Sequence, residues 1–201
     1  SPAFRAGLMD PFHETVCRDT RHWLERAVIG LNLCPFAKSV HVKGLVHYAV
    51  SDARYADELL LDLERELQAL QAGDPAERDT TLLIAPHCLR DFLDFNAFLR
   101  QADKALARLR LDGVLQIASL HPDYQFADAD ADDITNCTNR SPYPTLHLLR
   151  EASIDRAVAA FPNAETIFEA NKRTMEHLGH DGWAALGVTA SGDASGADER
   201  S

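Results

Sequence analysis

The side chains best suited to chemistry fall in three stretches. They are Asn32-Leu33-Cys34-Pro35-Phe36, His121-Pro122-Asp123-Tyr124-Gln125-Phe126, and the run from Asn136 to Glu151. His121 and His147 are acid/base candidates, because imidazole exchanges protons near neutrality. Cys34 is a candidate nucleophile, which requires an accessible thiol and a neighbouring base. Cys137 is the competing thiol, and an inert, buried Cys34 is the competing reading. Arg140 and Arg150 can clamp a carboxylate or phosphate through paired N–H donors, with the stiff Ser141-Pro142-Tyr143-Pro144 turn between them. The rival account pairs both arginines with the acidic stretch 127–133. Asp123, Tyr124, Asn136, Asn139 and Tyr143 complete the substrate-binding set.

Metal and cofactor motifs are weak. The four cysteines, at 17, 34, 88 and 137, include no Cys-x-x-Cys pair, and the nine histidines form no His-Glu-x-x-His or His-x3-His cluster. Four reduced thiols and no structural zinc are expected; a site assembled from Cys34, His121, Cys137 and His147 would compete with the chemistry above. Asp128, Asp130 and Asp132 imitate a calcium loop, but Asp133 stands where the turn needs glycine and Asn139 where a bidentate Glu is required. Cys34-Pro35 resembles a haem-regulatory dipeptide, but two residues carry little information and a helix-ending turn explains Pro35. Dinucleotide, P-loop and serine-hydrolase fingerprints do not occur. No cofactor and no metal are assigned.

Periodicity supplies the elements that must position these groups. Residues 12–31 read as a helix ending before Pro35, and 45–50 as a strand. A helix over 54–72 presents Leu59, Leu60, Leu63, Leu67 and Leu70 on one face. A strand over 80–85, a helix over 91–110 and a strand over 114–120 follow. The pattern predicts an α/β fold: a small, largely parallel β-α-β-α-β sheet flanked by helices, with an N-terminal helix and C-terminal helices near 153–161 and 164–178. Asn163 is placed to cap the last helix and Gly179 to stop it. Residues 145–149 read either as a helix opened by Pro144 or as a strand with His147 opposite Leu146 and Leu148. Residues 1–11 are expected to form a flexible extension, 12–186 a single domain and 187–201 a disordered tail.

In a parallel sheet, ligands settle outside the carboxyl ends of the strands. Those ends carry Ser51-Asp52, Pro86-His87-Cys88 and His121-Pro122-Asp123-Tyr124, so His87 and His121 are expected on one edge. Asn32 to Ala37, His121 to Phe126, Thr138 to Pro144 and Leu146 to Glu151 are similar to the signatures of a bacterial family called domain of unknown function 1415. The likeness runs from about Thr15 to Leu186. It implies no activity, cofactor or partner, only that these blocks define the family.

Composition bounds the partners. The 201 residues carry 20 Lys and Arg against 31 Asp and Glu, a net charge of −11, which opposes a general grip on nucleic acid or anionic membrane. No apolar run reaches the roughly 20 residues of a membrane span, and a cytoplasmic location is expected. The reading that follows is an enzyme acting on a small anionic metabolite through a Cys/His/Arg-lined pocket built by 32–36, 121–126 and 136–151. The alternatives are a non-catalytic small-ligand or metal-binding protein, or a structural or interaction module. Reaction, substrate and oligomeric state stay open.

Overall fold

The computed structural model describes residues 10–161 and 163–191; expectations for 1–9 and 192–201 lie outside the described residues. Helix α1 (Pro11–Trp23) opens with Pro11 in its first turn, where the missing N–H breaks no helical bond. The Asp10 carboxylate caps it by accepting from Phe12 N at 2.7 Å. Asp10 and Pro11, expected in the extension, thus belong to the first helix. From Leu24 to Ile29 the helix widens to π geometry, with Gly30 N reaching Glu25 O at 2.9 Å and Leu33 N reaching Val28 O at 2.8 Å. A Cβ at Gly30 would collide with the Arg26 carbonyl, so the wide turn needs glycine at its exit. Asn32 then adopts φ 53°, the left-handed region asparagine tolerates, and turns the chain into Cys34-Pro35 and helix α2 (Ala37–Val42).

Strand β1 (Val46–Val50), helix α3 (Ala56–Ala72), strand β2 (Thr80–Ile84), helix α4 (Phe92–Arg108) and strand β3 (Leu115–Leu120) follow in order. A fourth strand, β4 (Thr145–Arg150), completes the sheet in the order β1-β2-β4-β3. Only β1 and β2 pair in parallel; β4 is antiparallel to both β2 and β3. The expectation of a largely parallel sheet is corrected: it is mixed, and β3 does not pair with β2. The cause is the alternation of Leu146 and Leu148 with Thr145, His147 and Leu149, which gives β4 two faces to cover and suits it to the sheet interior. β3 still runs in the same direction as β1 and β2. The ends Val50, Ile84 and Leu120 lie in one row with Thr145, so the loops bearing His87 and His121 leave from one edge.

Helices α3 and α4 cover one face. Leu59, Leu63, Leu67 and Leu70 pack with Phe95, Phe98, Leu83, Leu146 and Leu148, all essentially without solvent exposure. Burying each leucine contributes roughly 1.5–3 kcal/mol, so this stripe is the main apolar force holding the layer. On the other face Val16 packs on Leu82, Ile84 and Tyr143, while Trp23, Leu24 and Ala27 pack beside Val46, Tyr48 and Leu120.

Helix α5 (Glu151–Ala160) starts where β4 ends, and a short 3-10 turn leads into α6 (Ile167–Ala185). Asn163 precedes that turn without a side-chain cap bond, and Gly179, at φ 70°, kinks α6 instead of stopping it. Val188 is buried beside Trp23, and Ser191 N donates to Asp19 Oδ2 at 3.0 Å. Residues 187–191, expected in the tail, therefore pack on the core. No helix among the described residues is long and apolar enough to cross a membrane.

Candidate functional site

The face of the sheet opposite α3 and α4 is only partly covered by α1. Between this face, the π turn, α2 and α5 lies a cavity of about 960 Å³. Its floor is Val46, Thr80, Leu82, His147, Leu149 and Leu120, the residues of β1, β2, β4 and β3 that share this side. Trp23, Leu24 and Val28 form one wall, and the wide π turn places them there. Such turns recur at functional sites because they re-aim side chains that a regular helix would stack. Cys34, Phe36 and Val40 form a second wall, and Ile154, Ala157 and Phe161 of α5 a third.

His147 lies in the middle of the floor, opposite Leu82 on one side and Ala118 on the other. Burial between these apolar neighbours pushes its pKa down to about 4, so the imidazole is neutral at physiological pH. Thr80 Oγ1 lies 2.7 Å from His147 Nε2 and 2.7 Å from the Leu148 carbonyl. The hydroxyl has one proton, which the carbonyl must receive, so Nε2 carries the hydrogen and donates to Thr80. That leaves Nδ1 as a proton acceptor, with no protein partner among the described residues. A neutral imidazole of fixed tautomer therefore presents Nδ1 as a hydrogen-bond acceptor, while burial keeps it a weak base.

Cys34 also lines the cavity and is the only one of the four free cysteines that is not buried. The turn before it is pinned by Asn171 Nδ2, which donates to the Leu33 carbonyl at 2.8 Å. Burial pushes the thiols of Cys17 and Cys137 up, and that of Cys88 up to about 11. Thiolate is the reacting form, so alkylation of the native protein with iodoacetamide at pH 8 should be confined to Cys34, the other three reacting only after unfolding. Peptide mass spectrometry checks this; equal labelling of Cys137 would remove Cys34 from its special position.

The remaining sequence candidates are placed elsewhere. His121 has no solvent exposure; Asp123 N donates to its Nδ1 at 3.0 Å and its Nε2 meets the Leu89 carbonyl at 3.0 Å. Both nitrogens are committed to backbone, and burial lowers the pKa, so neither is left to carry a proton to a substrate. Tyr124 packs on Phe92 and Phe126, and Asp123 is exposed. Asn136 is fully buried, accepting from Phe126 N and donating to the Asp130 carbonyl. Tyr143 donates its hydroxyl to Asp19 Oδ2 at 2.5 Å.

Arg140 and Arg150 do not form one clamp, which corrects the expectation of a joint anion site. They flank opposite ends of β4, whose six residues span roughly 17–20 Å. Arg140 donates to the carbonyls of Tyr124 and Ala131, holding the acidic loop by its backbone and not through its carboxylates. Arg150 donates through one terminal nitrogen to the carbonyls of Gly73 and Arg78, and it reaches the cavity edge. Of the three sequence blocks, 32–36 and 136–151 meet at this cavity, whereas 121–126 stands behind it.

Thr80, Lys43, Arg156 and Asn171 line the cavity without having been singled out from sequence. Each is a common residue on an ordinary helix, strand or turn, and only long-range packing brings it here. No group of three or more His, Cys, Asp or Glu side chains among the described residues is arranged to hold a metal ion. A family model described as protein of unknown function (DUF1415) matches residues 15–185. The chain belongs to that family. No curated protein and no solved structure gives a significant match. The family match spans the elements that build the cavity, from most of α1 to the end of α6.

Proposed function

We propose that the protein binds a small anionic molecule in this cavity and acts on it through Cys34 and His147. What supports the reading is one co-occurrence: the only partly exposed thiol and a neutral imidazole with an open Nδ1 line the same cavity. In the proposed step the Cys34 sulfur attacks an electrophilic carbon while its proton passes to His147 Nδ1. An S–C bond forms, and the leaving group departs with the proton the imidazolium returns; water then resolves the adduct. Burial keeps this imidazole a weak base, so its contribution falls below the about 10²–10⁴-fold of a base matched to the working pH. Asn139 supplies an orienting amide, and Arg150 meets the anion. His121, Arg140, Asn136 and Tyr143 act as positioning residues that hold the loops behind the site.

The largely apolar walls favour a second reading, a binding protein that does no chemistry. A thermal-shift panel of carboxylated and phosphorylated metabolites, followed by intact-mass analysis of wild type and Cys34→Ala, separates the two. Stabilisation with a Cys34-dependent adduct or turnover supports the enzyme. Stabilisation without either supports the binding protein. A panel that leaves the melting temperature unmoved overturns both.

A further inference from the structure

We infer that the ligand is an anionic amphiphile, with a carboxylate or phosphate head at the cationic mouth of the cavity and an elongated apolar body reaching toward Cys34. This deepens the cavity reading above and rests on it. Three observations carry it. The first is the wall chemistry: Val28, Phe36, Leu82, Leu149 and Ile154 offer a small polar metabolite nothing to bond and would be left uncovered by one.

The second is where the charges lie. The cavity lining holds three cations, Lys43, Arg150 and Arg156, and one carboxylate, Asp79, in a chain of net charge −11. Lys43 precedes β1, Asp79 precedes β2, and Arg150 ends β4, so these residues share one edge of the sheet. Ser153 Oγ donates to Asp79 at 2.6 Å, which takes up part of its acceptor capacity. Asp74 also lies close enough to Arg150 to act on its charge. Arg150 Nε is buried with no hydrogen-bond partner, an N–H that a bound oxyanion would satisfy.

The third is shape. Helix α2 runs along one wall, with Cys34 three residues before its first and Lys43 directly after its last. Its six residues alone span about 9 Å, so a molecule touching both ends must be long.

The test is calorimetric titration with decanoate, decanol, decyltrimethylammonium, acetate and inorganic phosphate, each kept below its micellar concentration. Three proteins are compared: wild type, the double variant Lys43→Glu/Arg156→Glu, and Ala157→Trp, which blocks the cavity from α5. Val40→Trp blocks it from the facing wall if Ala157→Trp does not fold. Decanoate should bind at one site, at least about tenfold more tightly than decanol, since a charge-assisted contact is worth that much. The charge-reversed variant should lose about tenfold for decanoate and nothing for decanol. Each blocked variant should lose both.

Equal binding of decanoate and decanol, or tight phosphate binding without decanoate, would overturn the amphiphile while leaving the cavity as a ligand site. Decanoate binding that survives both tryptophan variants would mean surface association and would overturn it as well. If no probe binds, the inference falls, and the metabolite panel alone decides the cavity reading.

Discussion

His121→Ala is expected to destabilise the fold by about 3–5 kcal/mol, more than any other change to the residues named from sequence. The side chain has no solvent exposure and lies against Phe92 and Phe95, with ring centroids at 5.4 and 4.9 Å. Truncation leaves a void and strips partners from two backbone groups, Asp123 N–H and the Leu89 carbonyl. Each orphaned group costs about 1–3 kcal/mol. Leu89 is also held at φ 55°, where a residue other than glycine is strained, and the bond from His121 is one of its restraints. Urea unfolding of the variant measures the loss. A change below about 1 kcal/mol would contradict the structural role and reopen His121 as a proton carrier.

The second large effect is pH-dependent. Burial lowers the His147 pKa to about 4 in the folded chain, against about 6.5 in an unfolded one. Above pH 6.5 the imidazole is neutral in both states and contributes nothing to the pH dependence. As pH falls from 6.5 to 4, the unfolded chain takes up a proton that the folded chain resists, so stability falls through this window. The integrated effect is about 3 kcal/mol, because each pKa unit corresponds to about 1.4 kcal/mol. His121 is shifted in the same direction and titrates in both proteins, so it cancels when wild type is compared with His147→Gln. The wild-type stability curve should therefore fall by about 3 kcal/mol more than the variant's between pH 7.5 and 4. Parallel curves would mean that water reaches the ring freely.

The elements that read most clearly from the sequence are those with a simple period. The leucines of α3 repeat at helical spacing because one face must be dry, and the structure buries Leu59, Leu63, Leu67 and Leu70 completely. The run 80–84, Thr-Thr-Leu-Leu-Ile, carries no charged residue and no polar alternation because β2 is covered on both faces. What periodicity does not carry is which strands touch. The segment 145–150 is short, follows two prolines and sits far from β2 in sequence, so its insertion between β2 and β3 depends on contacts across the fold.

The site was half legible for the same reason. Cys34, Asn139 and His147 line one cavity. His121 carries the same functional group, yet its environment turns it into a core residue. Arg140 and Arg150 look like a pair on paper, but a strand between them points them to opposite ends of β4. Thr80 sets the His147 tautomer from 67 residues away, a relation no local pattern encodes.

The central claim is that Cys34 and His147 face a bound molecule in one cavity. Its most direct test is the alkylation rate of native Cys34, measured while the anion that most stabilises the protein is titrated in. If the ligand occupies this cavity, the rate falls with occupancy, by about tenfold when free ligand is ten times the Kd, and gives the same Kd as calorimetry. Substituting His147→Gln should weaken that protection, because the ligand loses a partner on the cavity floor. An alkylation rate that stays constant while the ligand saturates the protein would place the ligand elsewhere and contradict the account.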